Sequence, residues 1–359
     1  MRKFPAVVLA VALAATASAA PALAQKVTTL RVGWCAKTVS PAAAPFAVAM
    51  KMGWFAAAHV AIELVPLPGS ADCVKFIGTR ELLYSLPSVE PLGQFRPQGI
   101  RAKVFYTAYQ GFTYGIAVPA NSMTTAVREL KGKTIGVTSI ASGGNLVARA
   151  LVSEAGLDPD REVSIVVAGE GAQSAALLRS KQVDALAQFD TQFAMVENAG
   201  IPLRRLETPS IDHFPANGFI ALEDTLKDRR AEAVALAQGY AKGTAFAIAN
   251  PEAAVRILWE VFPQTKSTGK DEATALRDDI KTLQARAQNW KLERGGVKRW
   301  GESVMANHQA YLDFLLKQGV LKEPVKADDI VTNDLIDDIN KFAAAAVVEE
   351  AQSYKYAAH

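Results

Sequence analysis

A glycine-rich turn at residues 139–145 has the residue types best suited to holding a small molecule. It reads Ser139-Ile140-Ala141-Ser142-Gly143-Gly144-Asn145, between a predicted strand at 133–138 and a predicted helix at 146–155. Glycines let a ligand approach the backbone closely, and N–H groups beside Ser hydroxyls can receive an oxyanion or a carbonyl. The alternative is an ordinary capped turn. A nucleotide P-loop is excluded because no Gly-Lys-Ser/Thr ending follows Asn145.

The other candidate ligand contacts lie at predicted strand ends or on two extended crossovers. An aromatic ring can stack on a planar solute, a hydroxyl can donate a hydrogen bond, and a carboxylate can accept one from an amine or a ring N–H. The alternatives are core packing for the indole, helix capping for the serines and the carboxylate, and a hinge hydrogen bond for the imidazole. These candidates are Trp34, Ser70, Ser88, Tyr109, Asp190 and His213.

The cysteines and histidines do not predict metal or catalytic chemistry. The chain has two cysteines and four scattered histidines, and their spacing does not match a metal site. It also lacks a Gly-x-Ser-x-Gly nucleophile elbow. No metal, no cofactor and no catalytic residue are therefore predicted. Cys35 and Cys73 are an even pair and are expected to form a disulfide if the protein is exported, the alternative being two buried thiols.

The first 24 residues are typical of a secretory signal peptide. Arg2 and Lys3 precede an apolar run at 4–15, and Ala22-Leu23-Ala24 forms an A-x-A exit. The apolar run is shorter than the roughly 20 residues that a membrane-spanning helix needs. We therefore expect residues 1–24 to be removed on export, which in a bacterium leads to the periplasm.

Strands alternate with helices along the rest of the chain, and the pattern repeats. The first series of βαβ units begins near residue 29 and the second near residue 133, before a nearly all-helical tail from residue 228. This predicts an α/β protein with two lobes, two mainly parallel sheets and a central cleft. Lobe 1 is expected at 25–113, lobe 2 at 114–214, and a return to lobe 1 with the C-terminal helices at 215–359. The helices of the tail are expected to pack onto lobe 1.

The charge balance argues against a polyanionic partner. The 359 residues include 39 Lys+Arg and 36 Asp+Glu, a formal net charge of +3. Because the predicted signal peptide contains basic residues and no acid, the mature chain is closer still to neutrality. We therefore expect no nucleic-acid partner and no polybasic membrane contact.

Three short segments resemble the solute-binding proteins of bacterial ABC importers, in the group for nitrate, alkanesulfonates, taurine and thiamine-pyrimidine precursors. They are Leu-Lys-Gly-Lys-Thr-Ile-Gly-Val at 130–137, Met-Gly-Trp-Phe at 52–55 and Gln-Val-Asp-Ala at 182–185. The resemblance implies a type II-like periplasmic-binding fold that closes like a Venus flytrap on a small-molecule solute. It also implies an ABC permease and its ATPase as partners, and we expect a monomer.

The resemblance places the 139–145 turn at the ligand cleft. No arginine corresponding to the family's cleft arginine is apparent in the loops expected to face the ligand, whereas Glu170 and Asp190 end two predicted strands there. We therefore expect a neutral or amine-bearing polar organic solute instead of a plain anion. Two alternatives stay open: an enzyme similar to the pyrimidine-precursor synthases of the same fold, and a ligand-loaded partner of a sensor kinase.

Overall fold

The computed structural model describes residues 27–356. The predicted signal peptide, residues 1–24, lies outside the described residues. The first lobe contains strands β1 to β4, the second contains β5 to β9, and β10 returns to the first. The strands are β1 (Thr28–Trp34), β2 (Val60–Pro66), β3 (Tyr84–Ser85), β4 (Ala102–Thr107), β5 (Tyr114–Pro119), β6 (Thr134–Val137), β7 (Ser164–Val167), β8 (Ala185–Phe189), β9 (Leu203–Arg205) and β10 (Gly218–Leu222).

Helices cover both sheets and form most of the chain after β10. Those of the first lobe are α1 (Ala44–Lys51), α2 (Ser70–Gly78) and α3 (Glu90–Phe95), and those of the second are α4 (Gly143–Glu154), α5 (Ala172–Arg179) and α6 (Asp190–Asn198). The later helices are α7 (Glu223–Asp228), α8 (Arg230–Ala249), α9 (Pro251–Val261), α10 (Glu272–Trp290), α11 (Leu292–Gly295), α12 (Met305–Lys317), α13 (Ala327–Ile330), α14 (Ile336–Ile339) and α15 (Ala344–Ser353).

The two lobes contain five-stranded sheets with the same layout. The strand order is β2-β1-β3-β10-β4 in lobe 1 and β7-β6-β8-β5-β9 in lobe 2. In each sheet one strand, β10 or β5, runs antiparallel to its neighbours. These are the strands that enter from the other lobe, since β5 follows β4 and β10 follows β9. The predicted fold class, two mainly parallel sheets with a cleft between them and a helical tail, is confirmed.

Lobe 1 has the larger core, and its aromatic residues link the sheet to the later helices. The Phe219 ring on β10 lies 5.1 Å from the Tyr240 ring of α8 and 5.9 Å from the Phe46 ring of α1. Burial of apolar side chains on both faces of a parallel sheet is what holds such a lobe together. The same large cluster extends into lobe 2, where it includes residues of β6 and α4. Lobe 2 also contains a separate, smaller cluster that includes Leu186 and Phe193.

Helix α10 bridges the lobes, which differs from the expectation that the tail packs onto lobe 1 alone. Asn198 of α6 donates a 2.9 Å hydrogen bond to the Asp278 carbonyl oxygen of α10, and Lys281 pairs with Glu197 at 2.8 Å. On its other side, α10 accepts a 2.8 Å hydrogen bond at Asp279 from the Trp259 indole of α9. A 19-residue helix is about 28 Å long, long enough to contact both lobes.

Among residues 27–356, no helix is both long and apolar enough to cross a membrane.

Candidate functional site

The two lobes meet around a small enclosed cavity at the carboxyl ends of their strands. Its volume is about 40 Å³, enough for a few waters, and four of its fourteen lining residues are aromatic. Trp34 comes from the end of β1, Phe189 from the end of β8, Tyr109 from the crossover between the lobes, and Tyr114 from the start of β5. Such rings present flat apolar faces with polar edges. The cavity is therefore shaped by parts of both lobes and cannot exist in either alone.

Several polar groups of the cavity wall have hydrogen-bonding capacity left over. Thr191 Oγ1 is fully buried and has no hydrogen-bond partner within residues 27–356. Gln192 uses its Oε1 to accept from the Gly171 N–H at 2.8 Å, which leaves its amide N–H groups. Asn217 donates its Nδ2 to the Leu86 carbonyl oxygen at 2.9 Å, which leaves its side-chain oxygen. Because an unsatisfied buried polar group costs about 1–3 kcal/mol, these groups indicate a place for a polar ligand.

Arg286 of α10 reaches the cavity and is neutralised there by Asp190. Arg286 Nε lies 2.9 Å from Asp190 Oδ2, and its Nη2 lies 2.6 Å from Oδ1. Asn289 donates to Oδ2 at 2.8 Å, and the Thr191 N–H donates to Oδ1 at 2.7 Å. The carboxylate is thus fully engaged. Burial would lower the pKa of Arg286, but the adjacent Asp190 charge more than offsets it and the pKa is raised, so the guanidinium stays protonated.

The guanidinium of Arg286 also contacts two rings of the cavity. Its central carbon lies 4.1 Å from the Tyr109 ring centroid and 5.8 Å from that of Phe189. These distances are those of a cation–π contact. Burial raises the pKa of Tyr109, which keeps the phenol neutral. The floor of the cavity is therefore planar, aromatic and without net charge.

Direct hydrogen bonds between the lobes hold the cleft closed, and we call them the closure contacts. Glu170 of lobe 2 accepts from the Lys37 N–H at 3.1 Å and from the Thr38 hydroxyl of lobe 1. Ser139 Oγ donates to the Pro68 carbonyl oxygen at 2.7 Å, and the Ala71 N–H donates to the Ala141 carbonyl oxygen at 3.0 Å. All these bonds join protein groups to protein groups. Closure is thus supported by contacts that no solute needs to make.

A disulfide joins the two lobe 1 segments that carry the closure contacts. Cys35 and Cys73 are linked with their Cα atoms 5.9 Å apart. Cys35 lies next to the Lys37–Thr38 segment and in the cavity wall, while Cys73 lies in the first turns of α2, just after Pro68 and Ala71. The cross-link fixes these segments relative to each other, so it positions one face of the cleft.

The predicted serines and Gly143 lie at the interface between the lobes, beside the cavity. Ser70 Oγ accepts from the Ser88 N–H at 3.1 Å, and Ser88 Oγ has no hydrogen-bond partner within the described residues. A Cβ on Gly143 would lie 2.4 Å from Ser88 Oγ and 2.8 Å from the Tyr114 hydroxyl oxygen. Glycine at 143 is therefore required for lobe 2 to approach lobe 1 this closely. Of the predicted residues, Trp34 and Tyr109 line the cavity itself.

Other predicted residues have structural roles in the closed form. Ser142 Oγ accepts from the Asn145 N–H at 3.3 Å as the N-cap of α4, which is the capped-turn alternative. Asn145 donates to the Ile140 carbonyl oxygen at 2.9 Å, within the turn. Gly144 packs against the Ala187 carbonyl of β8. His213 is exposed, with its ring 4.4 Å from that of Phe214, and it does not line the cavity.

Sequence reasoning missed Arg286, Thr191 and Gln192. Arg286 lies on a helix of the tail, among many charged residues, and no local pattern distinguishes it from a solvated side chain. The expectation that the cleft lacks an arginine is therefore corrected: one is present, but it is paired with Asp190. Thr191 and Gln192 directly follow Asp190 in the first turn of α6, so the prediction for Asp190 was one residue away from them.

A wider open groove lies beside the enclosed cavity and shares Tyr114 as a wall. It has a volume of about 960 Å³ and runs between α10 and the segment after β9, with Arg205, Glu207 and Arg294 among its lining residues. Three aromatic residues line it, but seven of its lining residues are charged, and it opens more widely to solvent than the smaller cavity. We therefore take the enclosed cavity as the candidate site. Residues 27–356 contain no group of three or more His, Cys, Asp or Glu side chains arranged to hold a metal ion.

Two lobes that close on a cavity at the carboxyl ends of their strands define the periplasmic-binding-protein fold. Solved structures with this fold match most of this chain. The alkanesulfonate-binding protein SsuA from Xanthomonas axonopodis pv. citri, bound to MOPS, shares 17% identity at a TM-score of 0.64, covering 86% of this chain and 99% of that chain. The periplasmic nitrate-binding protein NrtA from Synechocystis PCC 6803 shares 16% identity at a TM-score of 0.64, covering 90% of each chain.

The family model described as NMT1/THI5 like matches residues 40–254, more than half of the chain. The protein belongs to this family, and the resemblance predicted from its short segments is confirmed at that level. A curated relative, the riboflavin-binding protein RibY from Chloroflexus aurantiacus, is 23% identical over 242 residues. That match covers 67% of this chain and 66% of the relative, just under two thirds of the relative's length.

Proposed function

We propose that the protein is the solute-binding component of an ABC importer: it captures a small organic molecule between its lobes and delivers it to a permease and its ATPase. In this proposal residues 1–24 direct export to the periplasm, and the mature protein acts as a monomer without enzymatic activity. The two crossovers, near residues 108–113 and 206–217, act as hinges that open and close the cleft.

The observation that carries this proposal is the enclosed cavity with its unpartnered Thr191 hydroxyl. A ligand that bonds to Thr191, Gln192 and Asn217 would satisfy groups that the closed protein leaves unsatisfied. Binding would therefore favour closure by more than the closure contacts alone. The cavity of about 40 Å³ is smaller than an organic solute, so the lobes or the walls must move to admit one.

The names of the similar proteins agree with such a role and suggest the first compounds to test. One similar structure is a nitrate-binding protein, another an alkanesulfonate-binding protein, and a curated relative is named for riboflavin. Trp34, Tyr109 and Phe189 supply the faces on which a ring would stack. Affinity in the micromolar range, about −8 kcal/mol, is attainable from one stacked ring and a few satisfied hydrogen bonds.

Native mass spectrometry of the protein, purified from cells without refolding, tests the proposal. We expect a monomer carrying one small molecule that is released on unfolding and can then be identified. Thermal-shift measurements with riboflavin, uracil, taurine, ethanesulfonate and nitrate provide a second reading. If the purified protein carries no molecule and no compound of any class raises its melting temperature, the proposed function is wrong.

A further inference from the structure

The charge state of the enclosed cavity is set by one ion pair. Arg286 is the only charged residue among the described residues that line the cavity. It is 4% exposed and Asp190 is 5% exposed, so both charges are removed from water. Two charges buried in contact form an internally neutral unit, and separating them costs several kcal/mol. An arginine that faces a ligand cavity would ordinarily attract an anion, but here the protein supplies the anion.

Asp190 cannot readily release Arg286 to a ligand. Its oxygens accept from Arg286 Nε and Nη2, from Asn289 Nδ2 at 2.8 Å and from the Thr191 N–H at 2.7 Å. An anionic ligand beside Arg286 would meet the negative charge of Asp190 directly behind it. It would also lose its own hydration without gaining an unpaired cation. The cavity therefore selects against anions.

The remaining chemistry of the cavity suits an uncharged ring with polar edges. Tyr109 and Phe189 offer ring faces next to the guanidinium plane. Thr191 offers a hydroxyl, Gln192 an amide N–H donor and Asn217 an amide oxygen acceptor. This set complements a ring that carries adjacent N–H and C=O groups, because each can then be paired.

We infer that Asp190 is a specificity-determining residue: by occupying Arg286 as an internal anion, it restricts the cavity to uncharged planar heterocycles with N–H and C=O groups on their edge, and excludes sulfonates, carboxylates and nitrate. This inference rests on the proposed function and deepens it. It makes Asp190 a switch between ligand classes, since Asp190→Asn keeps the size of the side chain and one acceptor oxygen but removes its charge.

The experiment compares wild-type protein with Asp190→Asn in thermal-shift and calorimetric titrations against ethanesulfonate and nitrate. Wild-type protein should show no response to these anions up to millimolar concentration. Asp190→Asn should gain affinity for them by about tenfold or more, because Arg286 is then an uncompensated buried cation. The double variant D190N/R286Q should lose that gain. Glu197→Gln is the matched control: it removes the charge of another α6–α10 ion pair, Glu197 with Lys281, which lies outside the enclosed cavity.

The ligand class is tested independently on the wild-type protein. The molecule released in native mass spectrometry should be an uncharged planar heterocycle, and uracil should stabilise the protein more than orotate, its carboxylated counterpart. A co-purified anion, or equal stabilisation by anions, would overturn the inference while leaving the proposed function intact. A folded Asp190→Asn variant that gains no anion binding would overturn it as well. If Asp190→Asn does not fold, the identity of the released molecule and the uracil–orotate comparison decide.

Discussion

Glu170 provides a direct measure of how much the closure contacts contribute to solute binding. It is only half-buried, it does not line the cavity, and its carboxylate accepts from the Lys37 N–H at 3.1 Å and from the Thr38 hydroxyl across the cleft. Replacement by alanine removes both interactions without touching a ligand. If closure is part of binding, Glu170→Ala must weaken the affinity for any solute by a similar factor.

The size of the effect follows from the two hydrogen bonds. Hydrogen bonds to a charged group contribute about 1.5–3 kcal/mol each when buried. Lys37 and Thr38 are exposed, and water replaces both bonds when the lobes separate, so about 2 kcal/mol for the pair is a reasonable value. This corresponds to roughly a 30-fold shift of the closing equilibrium towards the open form. Where the open form already dominates without a ligand, affinity falls by the full factor, and it falls by less where the closed form is well populated.

Small-angle X-ray scattering of the unliganded protein and calorimetry with the identified solute together test this. Glu170→Ala should increase the radius of gyration and raise Kd by about 5- to 30-fold, chiefly through faster dissociation. Glu129→Ala is the matched control, because Glu129 accepts from the N–H of Thr125 at 2.7 Å and from its hydroxyl, the same donor types, but within lobe 2. Equal effects of the two substitutions, or an unchanged Kd for Glu170→Ala, would refute a role of closure contacts in binding.

Three further predictions concern the cavity, the cross-link and the core. Thr191→Val should stabilise the unliganded protein by about 1 kcal/mol, because it removes a buried unpaired hydroxyl, yet it should raise the solute Kd severalfold. Thr244→Val is the control, because the Thr244 hydroxyl donates a hydrogen bond to the Tyr240 carbonyl oxygen at 2.8 Å. This control should destabilise the protein and leave the solute Kd unchanged. The unfolded, non-reduced protein should show no free thiol, and reduction of the disulfide, which spans 38 residues, should cost roughly 4 kcal/mol of stability; two free thiols would reject the cross-link. Burial lowers the pKa of His308 from 6.5 to about 4, so the contribution of His308 to stability is present above pH 6.5 and is lost as pH falls through about 4. Chemical denaturation of the wild type and of His308→Gln between pH 7 and pH 4 tests this. The difference in unfolding free energy between the two proteins should shrink towards low pH.

The sequence predicted the architecture well because the two lobes repeat one local design. Arg80 and Lys181 both adopt a left-handed backbone conformation, with φ values of 61° and 56°, directly after α2 and α5. Two residues later, the Leu82 N–H bonds to the Phe76 carbonyl oxygen and the Val183 N–H to that of Leu177. This turn leads the chain into β3 in lobe 1 and into β8 in lobe 2 in the same way. The short apolar strand that follows each turn was visible in the sequence.

The correspondence between the halves is clearer in the turn geometry than in the residue types. Each half has an acid shortly before a short strand, Glu81 before β3 and Asp184 before β8. The turn geometry instead matches Arg80 with Lys181, so Glu81 corresponds to Gln182 and Asp184 lies two positions further on. Asp184 accepts from the Thr134 N–H at 2.8 Å, a bond to the neighbouring strand that spacing along the chain does not reveal.

The site was only partly predictable because its decisive contacts join residues far apart in the chain. Trp34 and Tyr109 were found because strand ends and crossovers are visible in a sequence. The pairing of Asp190 with Arg286 joins positions 96 residues apart, and no local sequence pattern at either residue indicates it. Both residues are charged and buried, whereas charged residues are expected at the surface when only the sequence is known. The charge argument predicted a neutral or amine-bearing solute from acids without an arginine, and that stays a prediction; the arginine it missed is paired with Asp190.

Helix α10 also explains why family membership leaves the ligand class open. The family match covers residues 40–254, whereas Arg286 lies on α10 at residues 272–290, beyond that segment. The matched part contains strands β2 to β10, the 139–145 turn, Glu170 and Asp190, whereas β1 and the Lys37–Thr38 side of the closure contacts precede it. The charged side chain that lines the cavity, Arg286, comes from a helix outside the matched segment. Under our inference, an unpaired cation at the position of Arg286 would favour an anion, and its pairing with Asp190 would favour a neutral ring. Ligand class could then change through α10 and residue 190 in two proteins with the same lobes.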